Sequence, residues 1–208
     1  MIRFYSFLLF TLITTSVHAK RSTLVDLNIN GICYDILSST EVEVSSPRDN
    51  YYKDSLIIPE TIVDKGGKEY AVVRIQKEAC NYCENLKYVK LPATLREIGP
   101  FAFAYCSSLT EVVFPESLEK IEYFAFYQCG LTNVTIPEGL TKIEYEAFEE
   151  NSNLKTVKLP NSITEIERQA FSKCYNLKQV NIPNSLKNIR DRTFYNCVCN
   201  HTKITDNN

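Results

Sequence analysis

"LPNSITEIERQAFSKCYNL" occupies residues 159–177, and "LPATLREIGPFAFAYCSSL" occupies residues 91–109. A proline, two aliphatics, an Ala-Phe pair and a cysteine stand at the same offsets in both. Aligned on the proline, the phrase recurs at Pro92, Pro115, Pro137, Pro160 and Pro183, spaced 23, 22, 23 and 23 residues apart. Leu86, Leu109, Leu131, Leu154 and Leu177 stand six residues before these prolines. Leu95, Leu118, Leu140, Ile163 and Leu186 stand three after, and Ile98, Ile121, Ile143, Ile166 and Ile189 six after. An aromatic closes each copy at Phe103, Phe126, Phe148, Phe171 and Phe194. A fixed period in the twenties predicts a solenoid, because each coil can bury its apolar side only against its neighbours.

One coil can be read residue by residue. In "LKYVKL" (86–91), Val89 and Leu91 alternate with Lys90, which is strand spacing. Pro92 ends the strand, since it has no N–H for a ladder. Leu95 and Ile98 then turn back into the core. "FAFAYC" (101–106) predicts a turn of helix or 3₁₀ on the far side, with Ala102 small and Phe103 filling the width. Each buried aliphatic or aromatic anchor stabilises by roughly 1.5–3 kcal/mol, so about six per coil can hold an array together. The expected class is an α/β solenoid of about five 23-residue coils with one stacked sheet.

The pattern C/N-x-x-L-x-x-V-x-L-P-x-x-L-x-x-I-x-x-x-A-F resembles the BspA-type leucine-rich repeat of bacterial and protist surface proteins, over about residues 75–199. It departs from the general leucine-rich pattern in its proline just after the strand. "NGICYDI", "SLIIPETI" and "KEYAVVRI" are similar, more loosely, to the segment preceding such arrays. The resemblance implies a secreted or surface-associated protein that mediates adhesion to host matrix proteins, host cells or other microbes. A non-catalytic scaffold or spacer of the cell surface is the alternative.

The ends and the bulk composition frame that reading. "MIRFYSFLLFTLITTSVHA" (1–19) sets Arg3 before an apolar run from Phe4 to Val17 and closes on Val17-His18-Ala19. That predicts a secretory signal peptide; the run is shorter than the roughly 20 residues of a membrane span. No second long apolar run follows, so no membrane span is expected after cleavage. Residues 20–74 do not repeat cleanly. "ICYDIL" and "EVEVS" suggest a hairpin, "DKGGKEY" (64–70) a turn, and the whole a β-rich cap. Residues 75–199 form the array and 200–208 a polar tail. With 44% hydrophobic and 23% charged residues and a net charge of −2, the chain reads as globular. It carries no basic field for nucleic acid.

The chain has eight cysteines. Cys83, Cys106 and Cys174 fall three residues before a leucine slot, Cys129 two before one in the 22-residue coil, and Cys197 three before where one would be. Asn151 holds that place in the fourth coil. A position that takes Cys or Asn is a turn position satisfying backbone with a small polar group, so these thiols are expected reduced and buried. "CNYC" (80–83) lacks the βαβ context of a redox motif, and local bridges there or in "CVC" (197–199) stay open. A linear ladder is poor tetrahedral geometry for zinc. After residue 19 the one histidine is His201, in the tail. Neither a catalytic constellation nor a cofactor or metal site is legible. Glu144, Glu146, Glu149 and Glu150 cluster as a solvated face, and "NVT" (133–135) and "NHT" (200–202) match glycosylation acceptors.

The informative positions are those the coil does not need. On the strands these are Tyr88 and Lys90, Glu111 and Val113, Asn133 and Thr135, Thr156 and Lys158, Gln179 and Asn181. They predict a mixed polar stripe facing outward, where such an array would meet a protein partner.

Overall fold

The computed structural model describes residues 26–47 and 51–199. The expected signal peptide and polar tail lie outside these described residues, as does His201.

Each repeat begins with a short strand whose alternate residues face inward. These are β7 (Leu86–Lys90), β9 (Glu111–Val113), β11 (Asn133–Thr135), β13 (Thr156–Lys158) and β15 (Gln179–Val180). Val89, Val112, Val134 and Val157 are buried, while the residues beside them face outward. Neighbouring strands pair in parallel with a 23-residue offset, Tyr88 opposite Glu111 and Thr156 opposite Gln179. A second set of two-residue strands follows each proline: β8 (Glu97–Ile98), β10 (Lys120–Ile121), β12 (Lys142–Ile143), β14 (Glu165–Ile166) and β16 (Asn188–Ile189). β8 pairs with β10, and β14 with β12 and β16, also in parallel and isoleucine against isoleucine.

The far side is not helical; no helix occurs among the described residues. The expected turn of helix or 3₁₀ is met only at alternate residues, for a specific reason. In 101–106, Ala102, Ala104 and Cys106 donate their N–H groups three residues back, in 3₁₀ fashion. Phe101, Phe103 and Tyr105 donate instead to Tyr123, Ala125 and Tyr127 of the next coil. Left-handed backbone at Phe101 (φ 55°) and Tyr105 (φ 63°) turns these alternate groups outward. The same pair recurs at Phe124 and Gln128, Glu146 and Glu150, and Gln169 and Lys173. Non-glycine residues in this region cost about 1–3 kcal/mol each and persist only where surrounding structure dictates them. Here the inter-coil hydrogen bonds and the phenylalanine packing do so.

The strands of the segment expected to cap the array pair directly with it. β1 (Asp26–Ile29), β2 (Ile32–Ile36) and β3 (Glu41–Ser45) form an antiparallel meander. β3 then pairs in parallel with β6 (Glu69–Ile75), which pairs onward with β8. β5 (Thr61–Val63) forms a hairpin with β6. Its turn is held by the Asp64 carboxylate, which accepts from the N–H groups of Gly66 and Lys68. β4 (Asp54–Ile57) pairs in parallel with β7, so the strand ladder starts before the first clear repeat.

The expected single stacked sheet is divided. β4-β7-β9 forms a first sheet and β11-β13-β15 a second, and the two-residue strands divide at the same coil, β8-β10 from β12-β14-β16. The break falls at the one 22-residue coil. Cys129-Gly130-Leu131 spans the link that four residues span in Cys106-Ser107-Ser108-Leu109. The shortened link draws the backbone inward, and a Cβ on Gly130 would lie 2.4 Å from the carbonyl oxygen of Ser107. Only a glycine fits there without displacement. Strand pairing lapses between β9 and β11, although Thr132 still donates its N–H to the Thr110 carbonyl at 3.1 Å.

A column of phenylalanines fills the coils. Phe103, Phe126, Phe148, Phe171 and Phe194 stack at 5.2–5.7 Å with planes within 9°. The first four are fully buried. Beside them runs the expected thiol ladder. The Cys106 thiol donates to the Cys80 carbonyl at 3.1 Å, Cys129 to Phe103 at 3.0 Å, Cys174 to Phe148 at 3.3 Å and Cys197 to Phe171 at 3.1 Å. In the fourth coil the Asn151 amide donates to the Phe126 carbonyl at 2.7 Å. All cysteines among the described residues are free thiols. Burial pushes the Cys80 and Cys174 thiols well above their ordinary range, so the nucleophilic thiolate is scarce. In the native protein, alkylation of Cys106 and Cys174 should therefore require unfolding. Cys129→Asn should change stability by less than about 1 kcal/mol, since an amide replaces a weak thiol donor on the same carbonyl. Denaturant melts and mass mapping after alkylation check both; a disulfide joining two ladder cysteines would contradict them.

Candidate interaction face

The outward strand residues form two rows. One runs through Ser55, Tyr88 and Glu111, then, past the break, Asn133, Thr156 and Gln179. The other runs through Ile57, Lys90 and Val113, then Thr135 and Lys158. Strand pairing thus brings Tyr88, Lys90, Glu111 and Val113 together, as the sequence suggested. It leaves Lys158 in the second sheet, three strand positions from Lys90, or about 14 Å at ordinary strand spacing.

The two halves differ in chemistry. In the first sheet Ile57 is 58% exposed, Val113 63% and Tyr88 39%. Apolar groups so exposed on neighbouring strands, around one lysine, are not needed by the core. They border a hollow of about 420 Å³ also lined by Pro59 and Pro92. The second half is hydrogen-bonded to itself. Thr156 donates its hydroxyl to Asn133 at 2.6 Å. Asn181, expected to face a partner, instead accepts from the Leu159 N–H at 2.7 Å and donates to the Leu159 carbonyl at 2.9 Å. Its amide stands in for the missing strand beyond Val180. Ile57 escaped the sequence reading because its strand is irregular, although Pro59 in the proline slot marks its register. A further hollow of about 620 Å³ lies across the sheet break, where Glu111 and Val113 face Asn133 and Thr135.

The acidic cluster is not the solvated face its composition suggested. Glu146 and Glu149 are buried. Lys173 holds Glu149 at 3.2 Å and also binds Glu150. Gln128 hydrogen-bonds Glu150 from the preceding coil. Burial, with Glu149 beside it, pushes the Glu146 carboxyl up from 4.5 to about 7. Glu144 pairs with Lys142 at 3.1 Å. Among the described residues no group of three or more His, Cys, Asp and Glu could hold a metal ion. No helix there is long and apolar enough to cross a membrane.

The stacked strands, the proline that ends each one and the Cys/Asn ladder are the parts of one repeat. A family model, the BspA type leucine rich repeat region, matches residues 73–200 in six copies. The chain belongs to the BspA-type leucine-rich repeat family. Solved structures agree with this fold. A leucine-rich repeat protein from Bacteroides ovatus is 26% identical with a TM-score of 0.52, over 84% of this chain and 58% of its own. This BspA-type chain therefore spans less than two thirds of that relative's length. The Treponema pallidum leucine rich repeat protein superposes with a TM-score of 0.62 at 24% identity, over 80% of this chain and 78% of its own. A leucine rich cell surface protein from Faecalibacterium prausnitzii gives 0.52 at 20% identity, over 76% and 54%. The comparison with curated proteins returned no match.

The Glu146 shift has a stability consequence with a definite sign. A carboxyl raised in the folded state favours folding while protonated. Its contribution is present below the ordinary 4.5 and is lost as pH rises through about 7. Glu146→Gln should therefore gain stability relative to the parent as pH rises across that window. Urea midpoints of both proteins at several pH values measure the difference, which a constant offset would refute.

Proposed function

We propose that this chain is exported and binds a protein partner through the first half of its strand face. On this reading residues 1–19 are a leader, 20–74 a cap, 75–199 a solenoid of stacked coils and 200–208 a tail. The observation that carries the proposal is the exposure of Ile57, Tyr88 and Val113 around Lys90, on strands whose inward residues already complete the core. Aromatic and cationic side chains concentrate binding energy at protein interfaces. A partner that presents apolar groups beside a carboxylate or sulfate fits this surface. Family membership and the cell-surface name of the Faecalibacterium protein support adhesion, to host matrix, a host cell or another microbe, as its use. No step of this function is catalytic.

The test is binding of the chain from Lys20 to immobilised matrix proteins and to intact cells. Tyr88→Ala with Lys90→Ala should weaken capture at least about tenfold. Lys158→Ala, in the other sheet, should change it less than about twofold. Undiminished capture by a folded Tyr88→Ala/Lys90→Ala variant would move the partner site elsewhere.

A further inference from the structure

A separate hollow lies on the turn side, away from the strand face. It measures about 500 Å³ and is lined by Tyr51, Tyr52, Lys53, Tyr82, Glu84 and Asn85. Tyr82 starts a row of rings on successive turns. Its ring stacks on Tyr105 at 4.4 Å with 2° between the planes, and Tyr105 meets Tyr127 edge-on at 5.3 Å. One face of Tyr82 is thus covered. Among the described residues no ring or cation covers the other, and Tyr82 remains 46% exposed.

The ring is also held in place. Tyr82 has left-handed backbone (φ 59°). Its N–H donates to the Ala104 carbonyl at 2.9 Å, and its own carbonyl accepts from the Glu84 N–H at 2.8 Å. Tyr52, at the back, is fixed by its hydroxyl, which donates to the Ser45 carbonyl and accepts from the Cys33 N–H. The rim has unspent hydrogen-bonding capacity. Among the described residues the side chains of Lys53, Glu84 and Asn85 make no side-chain hydrogen bond, and Tyr51 is 67% exposed.

We infer that this hollow is a binding subsite for a pyranose sugar, stacked on the open face of Tyr82. A pyranose has one apolar C–H face and a rim of hydroxyl groups. It needs a flat ring beneath it and donors and acceptors around it. Tyr82 supplies the first; the Lys53 ammonium, the Glu84 carboxylate, the Asn85 amide and the Tyr51 hydroxyl supply the second. An apolar protein side chain in the same place would strip water from those polar groups without pairing them, which costs free energy. The size suits a small-molecule site, and a pre-set ring lowers the entropy lost on binding.

Saturation-transfer NMR on the full chain tests this, with the methyl glycosides of glucose and galactose, N-acetylglucosamine and oligosaccharides of each as probes. At least one sugar should receive magnetisation. Tyr82→Ala should weaken that sugar's binding about tenfold or more. Tyr82→Phe, which keeps the ring, should retain it, and Tyr175→Ala, at an exposed tyrosine outside the hollow, should leave it unchanged. Equal binding of a monosaccharide and its oligomer identifies a free sugar as ligand, and tighter binding of the oligomer a glycan chain; both uphold the subsite. No transfer to any sugar, or transfer undiminished in a folded Tyr82→Ala variant, overturns it.

Discussion

Each coil of this protein gives half of its turn-side backbone hydrogen bonds to the next. Phe103, Phe126, Phe148 and Phe171 each donate their N–H groups one repeat forward, while the residues between them bond three back. This division forces left-handed backbone twice per turn, forbids a helix and sets the coil length, because donor and acceptor must meet at the same place in every repeat. The carbonyl of each phenylalanine slot then accepts from a ladder cysteine or asparagine one coil on. With strand pairing on the other two sides, the coils are tied along three lines around one aromatic column.

Much of this was legible as spacing. Proline, leucine and phenylalanine columns reveal the period, and a place shared by Cys and Asn reveals a backbone-satisfying ladder. The handedness of the turns was not legible. The left-handed positions are Glu78, Phe101, Phe124, Glu146, Gln169 and Arg192 in one row, and Tyr82, Tyr105, Gln128, Glu150, Lys173 and Asn196 in the other. Glycine, the usual mark of that conformation, is absent from both rows, because neighbouring coils rather than local preference dictate it. The 22-residue coil was visible, but its effect was not. Losing one residue beside Gly130 leaves the core columns aligned while the strand ladder parts.

The candidate sites show the same division. Residues facing outward on a strand follow from alternation alone, so Tyr88, Lys90, Glu111 and Val113 were found together. Whether an outward residue is free depends on its neighbours one coil away. Asn181 is consumed by Leu159 and Glu149 by Lys173, and no reading of a single repeat reveals either. Tyr82 is the converse. In its row only Tyr105 repeats the ring, and only the fold shows that the first ring of the stack has an open face. Both exposed aromatic features, Tyr88 on the strand side and Tyr82 on the turn side, fall where the cap passes into the array. There the repeat is least regular and its surface least committed to stacking.

Residue-resolved amide hydrogen exchange tests the inter-coil bonding most directly. The N–H groups of Phe103, Phe126 and Phe148 point at the next coil, so their exchange should require global unfolding, with protection matching the stability measured in denaturant. Those of Ser107 and Ser108, which donate no hydrogen bond among the described residues, bound the fast end. If the phenylalanine amides exchanged as fast as these, or only as slowly as a fraying local turn, the coils would not be bonded to one another as described.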